Sequence, residues 1–317
     1  MPPDRLPPLT ALRAFEAAAR HMSFQDAAAE LSVTPAALSF QIKSLEAHLG
    51  APVFRRLNRR VELTEAGAAL APHATDGFGA LQAGWRAAAR TFDGGRLTVT
   101  AGPAFTARWL APRMFLFARD HPEVELRFAA TLRLLDFARD DVDVAIRFGI
   151  RPEGGDPGLH EALAIGEWMT PMMTPELAAA LPRPEDLGGA TLIQQDDTAF
   201  FDPPMDWAAW FRAAGVPAPE VHGPRFSQAD HALDAAQAGA GVVLGRVSLA
   251  DAALRQGALV APYDVALVPA AQFRVLCPEG AEGRPATAAF LAWLAAEVGR
   301  MADHRGGRRM VPAAALA

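Results

Sequence analysis

Apolar residues near the start of the chain recur at helical spacing in three short blocks. In LTALRAFEAAAR the stripe is Leu12, Phe15 and Ala19, with Thr10 placed to cap the helix. In SFQDAAAELS it is Phe24, Ala27, Ala28 and Leu31, and Ser23 followed three residues on by Asp26 resembles a capping box. Only Ser32 and Val33 separate this block from Thr34, which caps a third helix with Pro35 at its first position; Gly50 and Pro52 end it. At about 100° per residue, Leu38, Ile42, Leu45 and Leu49 fall within roughly 60° of one another and form a buried stripe. Phe40 points almost directly away from that stripe, beside Ala36 and Lys43, with Ser39 and Ser44 on the flanks. Two short helices joined by so short a turn, the second well capped, read as a helix-turn-helix.

The pattern then changes to PVFRRLNRRVELT, two β-prone runs around a turn near Asn58, which reads as a hairpin or wing. Thr64 caps a longer helix that runs through about Phe92. Its apolar positions Ala71, Ala74, Phe78, Leu81, Trp85, Ala88 and Phe92 alternate steps of three and four, the spacing of a helix–helix seam. Gly67 has no side chain to extend the seam, and Pro72 predicts a kink. Such a seam pairs two copies of the chain, or packs the helix on its own domain. Asp93, Gly94 and Gly95 form a hinge. Beyond Arg96 strands alternate with helices: RLTVTAG, a helix to about Asp120, ELRFAA, a helix from about Leu132 to Asp141, and DVAIRFG. TLIQQ, DWAAWFRAAG, SQADHALDAAQAG and GVVLG repeat the style before AQFRVLC and a closing helix. This alternation predicts parallel α/β sheets in two lobes, with a ligand cleft at the strand C-termini.

The domains expected are a winged helix-turn-helix at 1–64, a linker helix and hinge at 65–95, and an effector domain at 96–303, with a flexible tail at 304–317. Within the effector domain, lobe I comprises 96–166 and 268–303, and lobe II comprises 167–267. Charge sharpens this division. The chain carries −6 overall, yet residues 1–62 hold eight basic and six acidic residues, and four of the eight lie in RRLNRR at residues 55–60. A basic spot on an acidic protein suits a polyanion-binding module, although a short charge run alone is also an ordinary solvated surface. Ser39, Gln41 and Phe40 could then meet base edges, the ring lying against a thymine methyl, unless the ring packs on the wing or the first helix instead. Lys43, Arg55, Arg56, Arg59 and Arg60 could neutralise phosphates. Ser23, Pro35 and Ala36 complete the expected DNA-contacting set.

Chemistry adds little. The single cysteine, Cys277, excludes an internal disulfide and a multi-cysteine zinc site, and reads as an inert thiol. GAGVVLG ends a helix and opens a strand, the reverse of a phosphate-binding loop, and no H-E-x-x-H, Walker or G-x-S-x-G motif occurs. No catalytic residue, metal or cofactor is expected. The N-terminal MPPDRLPPLT has no signal-type apolar core and no eighteen-residue apolar run exists, so the expectation is a cytoplasmic protein with no membrane partner.

The run LTALRAFEAAARHMSFQDAAAELSVTPAALSFQIKSLEAHLGAPVFRRLNRRVELTEAG resembles the N-terminal domain of LysR-type transcriptional regulators, within the branch of the glycine-cleavage activator and the β-lactamase-inducing regulators. TVTAGPAFTARWLAPRM, DDVDVAIRFG, DWAAWF and FSQADHALDAAQAGAGVVL extend the resemblance over most of the chain. It implies a winged helix-turn-helix, a dimerising linker helix using Phe78, Leu81, Trp85 and Phe92, and a two-lobed effector domain of periplasmic-binding-protein type. The implied partners are double-stranded DNA, a small-molecule effector, further copies of the chain as dimer or tetramer, and RNA polymerase. The sequence departs from the pattern at Phe40, where the family more often carries Arg or His, and at Pro35, where Gln is common. By analogy the effector would meet Ala104, Phe105, Thr106, Thr131, Arg147 and Ser227. Thr106 and Ser227 are alternatively helix caps, and Arg147 a structural ion pair. Two other readings compete: a two-lobed solute-binding protein, which leaves the first 92 residues unused, and an α/β enzyme with a DNA-binding appendage.

Overall fold

The structure, a computed structural model, describes residues 6–57, 60–90, 95–134, 136–137 and 140–315; at Arg56, Leu57, Arg60, Ala83, Arg86, Ala87, Ala89 and Arg90 it describes the backbone alone. The chain divides into two units, Met1–Phe92 and Asp93–Ala317.

The first unit holds α1 (Leu9–His21), α2 (Phe24–Glu30), α3 (Pro35–Leu49), the antiparallel strands β1 (Phe54–Leu57) and β2 (Arg60–Leu63), and α4 (Glu65–Arg90). Helix α1 begins one residue before Thr10, so Thr10 is not its cap. Pro8 precedes it, its carbonyl accepting from the Ala11 and Leu12 amides at 2.9 and 3.1 Å. Ser23 caps α2 and Thr34 caps α3, accepting the Asp26 and Ala37 amides at 3.3 and 3.1 Å. Fully buried alanines on both α1 and α2, Ala17, Ala18 and Ala27, let those helices approach closely over Phe15 and Leu38. Phe54 packs tilted against Phe15 and edge-on to Phe24, at 5.5 and 5.2 Å between ring centroids, which fixes the hairpin to the helices. Leu38, Ile42 and Leu45 are buried as expected. Leu49 is a correction: in the last turn of α3 it passes beyond the core and is half exposed.

The seam along α4 divides. Ala71, Ala74 and Phe78 pack into the core of their own unit, whereas Leu81 is 59% and Trp85 78% exposed. Phe78 therefore has an intramolecular partner. Phe92, Asp93 and Gly94 lie outside the described residues, as do Asn58 and Arg59 of the hairpin turn. Gly67 has a stronger reason than a missing seam residue: a Cβ there would sit 2.1 Å from the Val53 carbonyl oxygen. That oxygen accepts the Thr64 amide at 3.0 Å, and the Thr64 hydroxyl caps α4 at the Gly67 amide.

The second unit runs β3 (Arg96–Ala101), α5 (Pro103–Phe105), a π-helical turn (Thr106–Leu110), α6 (Ala111–Asp120), β4 (Glu125–Ala130), β5 (Val144–Gly149), β6 (Leu159–Ile165), β7 (Met169–Met172), α7 (Pro175–Ala180), β8 (Leu192–Gln195), α8 (Trp207–Ala214), β9 (Arg225–Phe226), α9 (Ala229–Gln237), β10 (Val242–Arg246), α10 (Val247–Arg255), β11 (Val265–Val268), β12 (Gln272–Pro278), α11 (Pro285–Gly299) and β13 (Arg309–Pro312). Lobe I holds the sheet β4-β3-β5-β12-β6 and lobe II the sheet β13-β11-β7-β10-β8-β9, and the chain passes between them at residues 166–168 and 269–271.

Three expectations are corrected. The sheets are mixed: β12 runs antiparallel to β5 and β6, and β7 antiparallel to β10 and β11. Strands arriving from the other lobe need no crossover helix and can enter in either direction. The segment 132–141 shows no helix among its described residues. Thr131 Oγ1 accepts the Arg133 amide at 3.1 Å and Asp140 Oδ2 the Asp136 amide at 2.9 Å, so side chains supply local turns beside a single helix-type bond from the Asp140 amide to the Asp136 carbonyl at 2.8 Å. The tail is also ordered through Ala315. Residues 309–312 pair parallel with β11, Val311 is buried in lobe II, and Arg308 Nε donates to the Tyr263 carbonyl at 3.0 Å.

The first crossing is fixed from inside. Glu167 is buried there, accepting from the Trp168 and Ser248 amides at 3.0 and 3.2 Å and from the Ser248 hydroxyl. Burial pushes its carboxyl above the ordinary range against the pull of those donors and of Arg246.

Candidate DNA-contacting face and effector cleft

Helix α3 presents Ala36, Phe40 and Lys43 to solvent on the side away from Leu38, Ile42 and Leu45, and Pro35 is exposed at its first position. The Phe40 ring is 70% exposed, so it does not pack on the wing or on α1. Gln41 is half-buried, its amide oxygen facing the Thr10 hydroxyl at 3.4 Å, which ties α3 to α1. Ser39 is half-buried and Ser23 is committed to its cap. In the wing, Arg55 is exposed opposite Glu62, and Arg56 and Arg60 lie on facing strands opposite Val61 and Leu57. The helices are locked by a charged cluster. The Arg20 guanidinium donates to Glu30 at 2.8 and 2.6 Å and to Glu16 at 3.0 Å, and His21 meets Glu30 at 2.6 Å. Bonding to Arg20, then to His21, holds the Glu30 carboxyl down to about 2.

In the effector domain, a chain of aromatic contacts runs from lobe I towards lobe II. Trp109 lies 5.2 Å from Phe105, Phe105 4.4 Å from Phe273, Phe273 4.7 Å from Phe148, and Phe148 5.8 Å from Phe201. The Arg246 guanidinium, at the end of β10, sits 4.8 Å above the Phe148 ring and pairs with Asp197. On the lobe I side Arg108 bridges to α9, donating to the Asp230 carbonyl at 2.7 Å and pairing with Asp234.

This geometry sorts the expected effector residues. Phe105 is a core residue, 1% exposed, because its four-residue spacing from Trp109 turns both onto the sheet; this corrects its place at a ligand surface. Ala104 is half-buried beside it. Thr106 is not an N-cap, since its amide donates to the Gly102 carbonyl at 2.9 Å within the helical run; its hydroxyl is buried and has no hydrogen-bond partner among the described residues. Thr131 is committed to its turn. Arg147 forms no ion pair among the described residues. It donates to Thr100 Oγ1 at 3.0 Å and to the Ile146 carbonyl at 3.3 Å, and half-burial pulls its pKa down. Ser227 is exposed and precedes α9 by two residues; the cap position belongs to Gln228. Sequence reasoning missed Gln195, Asp197, Asp230 and Arg246. Two of them, Gln195 and Arg246, end strands, which is the available signal. Cys277 is fully buried, and burial pushes its thiol up to about 11, as an inert thiol requires.

Two family models match the chain. Residues 9–68 match the bacterial regulatory helix-turn-helix protein, lysR family, and residues 91–299 match the LysR substrate binding domain. The chain belongs to the LysR family of transcriptional regulators. This LysR-type regulator is 38% identical over 297 residues to the glycine cleavage system transcriptional activator of Escherichia coli K12, spanning 92% of the chain and 94% of that protein. It is 37% identical over 295 residues to the transcriptional activator AmpR of Rhodobacter capsulatus, spanning 90% and 96%. Among solved structures, the effector domain of AmpR from Pseudomonas aeruginosa aligns with a TM-score of 0.52 at 30% identity, covering 64% of this chain and 96% of that one. The branch expected from the sequence is therefore the one in which the relatives lie. A LysR-type regulator is a DNA-binding protein with an effector-binding domain, and no helix among the described residues is long and apolar enough to cross a membrane.

Proposed function

We propose that this regulator binds an interrupted, two-fold-symmetric duplex site as a dimer or higher oligomer, with α3 in the major groove. Ala36, Ser39, Phe40 and Gln41 face bases, Lys43 and the wing arginines Arg55, Arg56, Arg59 and Arg60 face phosphates, and Ser23 and Pro35 flank the contact. The observation that carries this is the 70%-exposed Phe40 ring on the helix face opposite the buried stripe. A ring left in water by the free protein gains burial against a thymine methyl on binding. The exposed half of the α4 seam, Leu81 and Trp85, supports pairing of two copies, which brings two recognition helices to half-sites about one DNA turn apart. A small molecule occupies the cleft between lobes, its anionic group drawn to Arg147, the half-buried guanidinium that lacks a carboxylate partner among the described residues. Where the relatives' role as activators extends to this chain, RNA polymerase is the further partner. Action on chromosomal DNA places the protein in the cytoplasm.

The test is a gel-shift titration of the full-length protein against duplexes tiling the DNA upstream of its own gene and its neighbours. A discrete high-affinity fragment is expected, with log K falling linearly with log salt concentration as counterions are released. Equal, weak binding to every duplex at low salt would sink the reading.

A further inference from the structure

Resting on the reading that an effector sits between the lobes, we propose that this effector carries a protonated primary amine beside an oxygen acceptor, as an amino acid or small peptide does, and that Gln195, Asp197 and Asp230 of lobe II receive the amine. Among the described residues, three buried acceptor atoms there have no hydrogen-bond partner: Gln195 Oε1, Asp197 Oδ1 and Asp230 Oδ1. They belong to one connected patch. Gln195 Nε2 donates to the Leu244 carbonyl at 2.8 Å, two residues before Arg246, and Arg246 pairs with Asp197. Asp197 in turn feels the Ala229 amide at the start of α9, next to Asp230. Lobe I brackets the patch at both ends, through Phe148 under Arg246 and through Arg108 on the Asp230 carbonyl.

Buried polar atoms are seldom left unpaired, because each loses its hydration without a bond to replace it. Three acceptors, two of them carboxylate oxygens, call for a cationic donor with several N–H groups. An ammonium offers three, whereas a water offers two and leaves one acceptor unmet. The patch also holds an unpartnered donor. Arg246 is 4% exposed, and its Nε has no acceptor among the described residues although the rest of its guanidinium meets Asp197 and the Phe148 face. That N–H defines the second feature of the ligand, an oxygen acceptor close to the amine. In lobe I, Thr106 Oγ1 is likewise buried and unpartnered among the described residues.

The full-length protein tests this by thermal shift and calorimetric titration with the twenty common amino acids, a set of dipeptides, and the 2-hydroxy acids that match them but lack the amine. At least one amine-bearing probe is expected to raise the melting temperature by linkage, its hydroxy-acid counterpart having no effect. Asp230→Asn is expected to weaken that probe about 10- to 100-fold, the loss of a charged hydrogen bond. Asp197→Asn strands the buried Arg246 cation and can unfold lobe II, so Gln195→Leu serves as the second variant and should weaken the same probe. The proposal is overturned if no amine-bearing probe stabilises the protein, if the hydroxy acids do so equally, or if Asp230→Asn and Gln195→Leu leave affinity unchanged. Binding of hydroxy acids alone, lost in Arg147→Gln, would retain the cleft reading and reject the amine. An amine probe indifferent to Arg147→Gln, Asp230→Asn and Gln195→Leu alike would reject both.

Discussion

Phe40 and the wing arginines act on DNA through different physics, and single substitutions separate them. A ring against a base edge distinguishes sequences, so Phe40→Ala should change preference at the contacted positions by about 1–3 kcal/mol and leave the salt dependence intact. Arg55→Ala should weaken every duplex similarly and reduce the salt slope by about 0.9, the share of one phosphate. Gel-shift titrations on matched and mutated sites at several salt concentrations read both, and equal loss on all sequences for Phe40→Ala would remove its role. A third residue-scale expectation concerns acid. The Glu30 carboxyl, held at about 2 by Arg20, stabilises the fold fully above the ordinary carboxylate range and loses that contribution as pH falls from there towards 2. Because Arg20 and Glu30 are both more than a third exposed, Glu30→Gln should cost under about 1 kcal/mol in urea melts at neutral pH and flatten their decline in acid. Phe40 was legible in the sequence because only the helical period was needed to find it. The Asp197–Arg246 pair was not, since its partners stand 49 positions apart and meet only when β8 and β10 are neighbours.

At the scale of elements, α4 illustrates what a seam does and does not tell. Its three-four spacing correctly marks an apolar face, but the period carries no information on which partner covers it. Ala71, Ala74 and Phe78 are covered by α1 and the rest of their own unit, while Leu81 and Trp85 remain open. Leu81→Ala with Trp85→Ala should therefore lower the oligomeric state measured by sedimentation with little change in the stability of the isolated fold. Gly67→Ala should do the opposite, destabilising the fold by more than about 2 kcal/mol, because its methyl meets a backbone carbonyl that also anchors Thr64. Strands were read where β-branched residues cluster, as in GVVLG. Short strands such as β7 and β13 escaped because MTPM and RMVP gain their structure from neighbours in the lobe II sheet and not from local preference. The segment 132–141 failed in the other direction: its apolar spacing suits a helix, yet Thr131 and Asp140 capture backbone amides first.

At the scale of the whole molecule, the two-lobed plan was readable from strand–helix alternation and from the break in that rhythm near residues 166 and 268. The antiparallel direction of the crossing strands was not, since direction follows from topology. The first crossing carries a proton-linked constraint. Burial raises the Glu167 carboxyl, so the folded state favours its neutral form, and stability falls as pH climbs from the ordinary carboxylate range through the raised value. Glu167→Gln, which keeps the shape and an acceptor for the Ser248 and Trp168 amides, should remove that decline when effector-domain unfolding is compared at pH 5 and pH 8. The distribution of tryptophan has a practical consequence. Of the six, Trp109, Trp168, Trp207, Trp210 and Trp293 are at most 9% exposed and lie beyond residue 93, while Trp85 alone belongs to the first unit and faces water. The red edge of the intrinsic emission spectrum thus belongs to a single indole on the open stretch of α4, and its quenching by iodide reports, without any label, whether a second chain has settled there.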